Sequence, residues 1–353
     1  MTGKGSTTDA SSALETTSAA GGADESSADR WLVDGVIQGL RRPLAKAITL
    51  VESTRPEHRR RAAKLLDALM PRAGGSIRLG ISGSPGAGKS TFIEALGLEL
   101  IRRRLRVAVL AIDPSSTRTG GSILGDKTRM ERLSIHPDAF IRPSPSGGAL
   151  GGVADKTREA MLICEASGFD VVIIETVGVG QSETTVAGMV DVFVLIQLPN
   201  SGDDLQAIKK GIVEMADVIV VNKADIDPDA ARLARRQLAG ALSLLRGSAP
   251  GRKPLVLTTS ASTNQGIGEV WDEVARLHRE WTESGELDAK RRRQAVDWMW
   301  SLIDAGLRER FRENPNVRRD LDSFRTAVAE GRLSPGAAAA RLLDHVETKG
   351  GDA

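Results

Sequence analysis

The densest chemistry in this 353-residue chain lies in Gly83-Ser84-Pro85-Gly86-Ala87-Gly88-Lys89-Ser90. The segment fits G-x-x-x-x-G-K-[ST], a loop whose glycines let the backbone turn tightly and approach a phosphate with no Cβ in the way. The N–H groups of such a loop point inward as an anion nest at the positive end of the next helix. Lys89 is expected to reach the β- and γ-phosphates, and the Ser90 hydroxyl to ligate Mg²⁺. The nucleotide-contacting set is read as Gly83, Ser84, Pro85, Gly86, Ala87, Gly88, Lys89, Ser90 and Thr91.

Two acidic positions end apolar runs further along. Asp113 follows Val107-Ala108-Val109-Leu110-Ala111-Ile112, and a carboxylate there is expected to point at the Mg²⁺ region. The polar, Gly-rich stretch 113–129 is too long for an ordinary connector and reads as a switch loop that orders around γ-phosphate and metal. Glu175-Thr176-Val177-Gly178 ends the second run. Its spacing fits a second switch, in which the carboxylate holds Mg²⁺ and the Gly178 N–H contacts γ-phosphate. Glu stands where Asp is commoner. Lys89, Glu175 and Gly178 form the expected catalytic set. Gln181 either orients water or simply precedes a helix started by Ser182 and Glu183.

Asn222-Lys223-Ala224-Asp225 follows another apolar run and matches N-K-x-D. A carboxylate accepts hydrogen bonds from the N1–H and exocyclic amine of guanine, whereas adenine presents an acceptor at N1. Asp225 therefore selects guanine, Asn222 braces the loops, and the Lys223 stem covers one face of the base. Ser260-Ala261-Ser262 fits a backbone contact to the guanine carbonyl. The expected ligands are GTP or GDP with Mg²⁺.

These loops need a scaffold that brings them to one edge. Predicted strands at 77–82, 106–112, 139–142, 170–175, 191–198, 217–221 and 254–258 include near-continuous Val/Ile/Leu runs, as in a parallel sheet covered on both faces. Helical periodicity falls between them, for example over 156–166, 205–214 and 270–281. This pattern predicts a doubly wound, mostly parallel α/β fold, with its motifs at the C-terminal strand ends. Residues 1–28 are too polar to bury a core and are expected to be a disordered tail. A helical region at 29–75 is expected to break near Pro43 and restart at Pro56. The nucleotide domain spans 76–284, and a helical arm 285–353. Val296, Trp300, Ile303 and Leu307 lie on one face of that arm, which either packs back or buries its stripe in a second subunit.

Bulk properties narrow the class. The 48 basic and 46 acidic residues leave a net charge of +2, which argues against a dominant nucleic-acid footprint. The basic runs 59–61, 102–104 and 290–293 read as solvated helix faces. A lone Cys164 excludes an internal disulfide and a Cys-based metal cluster. His58, His136, His278 and His345 lack metal-ligand spacing. The sequence has no membrane-length apolar run and no basic-then-apolar leader pattern, so a cytoplasmic location is expected.

Four longer strings resemble the MeaB/ArgK family, the GTPases associated with methylmalonyl-CoA mutase. They run from Asp113 to Met130, from Ile141 to Ser146, from Glu175 to Glu183 and from Asp204 to Gly211. The resemblance spans about residues 29–345. It implies a homodimeric GTPase chaperone that gates adenosylcobalamin delivery to an acyl-CoA mutase and protects that enzyme. It further implies Mg²⁺-site roles for Ser90, Asp113, Asp126 and Glu175, and a third switch at 200–210. Asn200 and Asp204 depart from the glycine- and glutamate-containing forms of that switch. Two other readings remain: a kinase acting on periplasmic amino-acid-binding proteins, which would favour ATP, and a nickel-delivery GTPase, which would call for His-rich or Cys-based sites.

Overall fold

The computed structural model describes residues 29–112, 130–143, 150–176, 182–199, 210–245 and 253–347. The described chain divides into two compact units, one through Arg291 and one from Arg292.

The first unit opens with helices α1 (29–37), α2 (Arg41–Glu52) and α3 (Pro56–Leu69). Strands and helices then alternate: β1 (Ile77–Gly83), α4 (Lys89–Arg102), β2 (Val107–Ile112), α5 (Glu131–Ser134), β3 (Ala139–Pro143), α6 (Leu150–Ala166), β4 (Val171–Thr176) and α7 (Ser182–Ala187). There follow β5 (Val192–Gln197), α8 (Lys210–Met215), β6 (Val218–Val221), α9 (Pro228–Leu245), β7 (Leu255–Thr258), α10 (Ile267–Glu283) and the first turns of α11 (Glu286–Glu313). The seven strands form one sheet in the order β3-β2-β4-β1-β5-β6-β7, and all neighbouring pairs are parallel. From β1 the chain runs to β2 and β3 on one side, returns to β4 beside β1, and crosses to β5, β6 and β7 on the other, which makes the C-terminal end of β1 the switch point where such sheets bind ligands.

The period of two along each strand sorts the apolar residues into two cores. Val107, Val109, Val171 and Ile173 pack with Phe92, Leu96 and Leu100 of α4 and with Val270 and Val274 of α10. Ala108, Leu110, Val172 and Ile174 point the other way, onto Leu44, Ile48, Leu65 and Ile163 of α2, α3 and α6. Burial on both faces explains why these strands read as unbroken Val/Ile/Leu runs. The fold is the doubly wound α/β sandwich that this pattern predicts.

Three local readings change. The break expected near Pro43 falls at residues 38–40, and Pro43 sits in the first turn of α2, where a missing N–H costs nothing. Helix α6 begins at Leu150 rather than 156, because Gly151 and Gly152 mask a helical turn in the sequence. Lys290 and Arg291 are not a solvated face. Asp191, fully buried just before β5, accepts Arg291 Nε at 2.8 Å, Arg291 Nη2 at 2.6 Å and the Arg78 backbone N–H at 2.8 Å. Arg291 also donates to the carbonyls of Gly74 and Ser76 at 2.6 and 2.7 Å, and Lys290 to the Asp191 carbonyl at 2.6 Å. Removing one partner of such a buried pair typically costs about 3–5 kcal/mol, because the other charge is left uncompensated.

The second unit holds the rest of α11, α12 (Pro315–Ala329) and α13 (Pro335–Glu347). Asn314 caps α12, its side-chain oxygen accepting from the N–H of Asn316 at 2.9 Å. Ser334 caps α13, accepting from the Ala337 N–H at 3.2 Å. Val317 is fully buried, whereas Val296, Met299, Trp300, Ile303 and Leu307 of α11 are 39–59% exposed. Among the described residues, no helix is long and apolar enough to cross a membrane.

Candidate nucleotide site

The loop between β1 and α4 owes its shape to two glycines. Gly83 has φ 156°, and a Cβ there would lie 2.2 Å from the Ile196 carbonyl oxygen of β5. Gly88 is left-handed at φ 84°, and its Cβ would come within 2.8 Å of Asn222 Nδ2. Ser84, Pro85, Gly86 and Ala87 form the turn between them, closed by the Ala87 N–H on the Ser84 carbonyl at 3.2 Å. Lys89 begins α4 and is largely buried. Its Nζ donates to the carbonyls of Gly83 at 2.8 Å and Ser84 at 3.1 Å, so a fixed positive charge sits inside the loop. Thr91 is exposed on the first turn of α4.

Strand parity places the acidic group. Glu175 follows Val171 and Ile173 on the α4 face of β4, and accepts the Ser90 hydroxyl at 3.2 Å. Thr176 points to the opposite face and donates to Ser82 Oγ at 2.8 Å in a buried contact. That hydroxyl pair ties the end of β4 to the end of β1 and so holds Glu175 beside the phosphate loop. Neither hydroxyl carries a sequence signal beyond its strand-end position. Asp113, Asp126, Gly178 and Gln181 lie outside the described residues. The donors in view, one hydroxyl and one carboxylate, are the hard oxygen ligands that Mg²⁺ takes alongside phosphates and water.

Asn222 locks the base loop to the phosphate loop. It is 1% exposed, and its Nδ2 donates to the Ala87 carbonyl at 2.9 Å. Its Oδ1 accepts from Thr259 Oγ1 at 3.1 Å and the Ala261 N–H at 3.2 Å, and its own N–H reaches the Gln197 carbonyl at 2.9 Å. One residue thus joins the ends of β1, β5, β6 and β7, its side chain reaching the loops after β1 and β7 and its backbone reaching β5. Thr259, one place ahead of the Ser260–Ser262 motif, is a brace of Asn222 that sequence reading missed. Lys223 adopts φ 62°, a left-handed turn that brings the Ala224 N–H to the Thr259 carbonyl at 2.9 Å. Gln265 holds the other side of the loop through a reciprocal pair of backbone bonds to Ser260.

Asp225 is exposed and accepts the Ser262 hydroxyl at 3.1 Å, with Ser260 Oγ 3.0 Å from Ser262 Oγ. Hydrogen bonding from Ser260, with further help from Ser262 and the Lys223 charge, holds its carboxyl below the usual Asp range. The arrangement offers a pre-oriented acceptor at the rim of a phosphate-binding loop. Elsewhere, burial pushes the Cys164 thiol up, which keeps it from serving as a nucleophile.

The sequence profile of the family described as methylmalonyl Co-A mutase-associated GTPase MeaB matches residues 44–316. The chain belongs to the MeaB family. A probable GTPase of Mycobacterium tuberculosis is 54% identical over 314 residues, covering 89% of this chain and 94% of that protein. The GTPase ArgK of Escherichia coli is 48% identical over 313 residues, covering 88% and 95%. The mouse protein named methylmalonic aciduria type A homolog, mitochondrial, is 47% identical over 323 residues, covering 88% and 78%. A crystal structure titled LAO/AO transport system kinase superposes with a TM-score of 0.72 at 40% identity, covering 91% of this chain and 98% of that one. As a MeaB-family member the chain is a GTPase and binds guanine nucleotides.

The lowered Asp225 pKa sets a pH signature. Its carboxylate titrates with a midpoint below the ordinary Asp value of about 3.9, so it is mostly ionised above that value and is lost as an acceptor as pH falls through the lower folded midpoint. Inosine lacks the exocyclic amine, so the ratio of GDP to IDP affinity isolates this contact from phosphate titration. That ratio should stay flat from pH 8 to about 4.5, as read by displacement of a fluorescent nucleotide. A fall centred above pH 5 would mean that the carboxyl is raised instead.

Proposed function

We propose that this chain is a Mg²⁺-dependent GTPase chaperone of an adenosylcobalamin-dependent acyl-CoA mutase, methylmalonyl-CoA mutase or a close relative. In this reading its nucleotide state gates cofactor loading and protects the mutase. The partner assignment is carried by the family match over residues 44–316, whose description names mutase association. The nucleotide assignment draws support from the Asn222 lock and the oriented Asp225. A kinase acting through ATP is disfavoured, because N1 of adenine would set a lone pair against that carboxylate.

In the mechanism, the N–H groups of residues 86–89 and the Lys89 ammonium hold the β- and γ-phosphates. Ser90 and Glu175 hold Mg²⁺, with Asp113 and Asp126 completing the site. When bound, Mg²⁺ supplies positive charge to the phosphate oxygens. Asp225 and the Ser260-Ala261-Ser262 loop fix the base, and the Gly178 N–H contacts γ-phosphate. The switch segments 113–129, 175–183 and 200–210 begin at or just beyond the ends of β2, β4 and β5. For regulation, GTP and GDP must favour different arrangements of these segments, and the mutase must prefer one of them.

The test uses purified mutase. It should raise the GTP hydrolysis rate, and a GTP analogue should then change mutase affinity or cobalamin transfer, since coupling of binding is reciprocal. Lys209→Ala should lower the stimulated rate more than the intrinsic one. If mutase and nucleotide leave each other's binding, hydrolysis and cofactor loading unchanged, the chaperone reading fails while the GTPase stands.

Homodimerisation through α11 belongs to the same proposal. Its support is the exposed stripe of Val296, Trp300, Ile303 and Leu307. Because Arg291 fastens the start of α11 to Asp191, substitution tests this better than truncation. Trp300→Glu with Ile303→Glu should give a monomer by light scattering with GDP affinity intact. A wild-type protein that is monomeric at micromolar concentration would remove the dimer from the proposal.

A further inference from the structure

The helices ahead of β1 line an open cavity, of about 580 Å³, that shares no residue with the nucleotide site. This size falls within the range of about 300–1,000 Å³ typical of small-molecule sites. Trp31 and Leu32 of α1 form one wall, Lys46 and Thr49 of α2 another, and Arg55 and Arg61 close the third side. The described lining contains no Asp or Glu.

The charge here departs from that of the whole chain. Residues 29–75 carry ten Lys and Arg against five Asp and Glu, whereas the full chain stands at only +2. The nearby acids are turned elsewhere. Asp29 takes Arg61 at 2.8 Å, and Glu52 of α2 takes Arg142 of β3. Lys46 and Arg55 have no carboxylate partner among the described residues. Lys46 Nζ instead lies 5.3 Å from the centre of the Trp31 ring, and that indole is 42% exposed. An exposed indole, an aliphatic neighbour and two cations without carboxylate partners thus face one concave space.

We propose that this cavity binds a small phosphorylated molecule with a planar or aliphatic body. Trp31 and Leu32 take the body, and Lys46 with Arg55 takes the phosphate. Neither half suffices alone, because inorganic phosphate covers no apolar wall and a neutral ring leaves both cations unmatched. Filling the cavity bears on β3 as well. Thr49, in its wall, accepts Arg142 Nη2 at 3.2 Å, so a ligand would order the helix that holds the C-terminal end of that strand.

The probe is 1-naphthyl phosphate, titrated by calorimetry and Trp fluorescence into the full-length protein carrying one equivalent of GDP and Mg²⁺. We expect saturable binding at least tenfold tighter than that of 1-naphthol or inorganic phosphate. The Lys46→Ala/Arg55→Ala double variant should weaken it tenfold or more with GDP affinity unchanged, and Trp31→Phe should remove the fluorescence response. Absence of saturable binding, binding unaltered in the double variant, or release of the probe by GTP would each overturn the proposal.

Discussion

Lys89→Ala is expected to lower GTP hydrolysis by at least about 10²–10³-fold, the loss seen when one preorganised donor is taken from a site of developing oxyanion charge. The effect should be large because Lys89 serves two ends at once. Its ammonium is a fixed positive charge inside the β1–α4 loop, held on the carbonyls of Gly83 and Ser84. Alanine removes that charge from the phosphates and also leaves the Gly83 carbonyl without this donor. Lys89→Arg should rescue little, since the lysine is already largely buried and a planar fork needs more room than a single ammonium. Single-turnover phosphate release, with a fluorescent GDP analogue to track binding, separates lost chemistry from lost affinity. A variant that hydrolyses GTP at the wild-type rate would remove Lys89 from the site.

Asp225→Asn should turn a guanine site into a xanthine site. A site built around a specific hydrogen-bonding partner rejects an analogue that cannot make the bond by about 10⁴-fold. Asparagine presents one donor and one acceptor where aspartate presents two acceptors, which matches the carbonyl that xanthine carries in place of the amine. The loop should survive the change. Ser262 can still donate to the amide oxygen, and Asn222, not Asp225, ties the base loop to Ala87, Thr259 and Ala261. Competition between GTP and XTP for one bound fluorescent nucleotide reads the switch directly. Retention of the wild-type GTP preference would mean that the base is read elsewhere.

What was legible in the sequence was local. The β1–α4 loop and Asn222–Asp225 announce themselves because phosphate and guanine chemistry dictate residue types within a few positions. The strands announce themselves because both their faces are covered. What was not legible depends on partners far along the chain. Nothing near Arg291 says that it will neutralise Asp191, a hundred residues earlier, so the run 290–293 reads as surface. Thr259 earns its place only once β6 and β7 lie side by side and its hydroxyl meets Asn222. Gly151 and Gly152 hide the first turn of α6, since local propensity opposes a helix that packing on α2 and α3 enforces. The cavity between α1, α2 and α3 leaves its mark only as a basic excess with no motif.

The alternation along β4 has a consequence for how this protein can change. Val171, Ile173 and Glu175 share one face, Val172, Ile174 and Thr176 the other, and the two polar residues at the tip do different work on opposite sides of the sheet. The strand therefore behaves as a counting device with only two settings. Insertion or deletion of a single residue within it would move the carboxylate away from Ser90 and onto the helical layer below, while leaving composition and hydrophobicity almost untouched. Substitutions that keep the volumes can accumulate in this segment one at a time. Changes of length have to come in twos, or in the loops outside it.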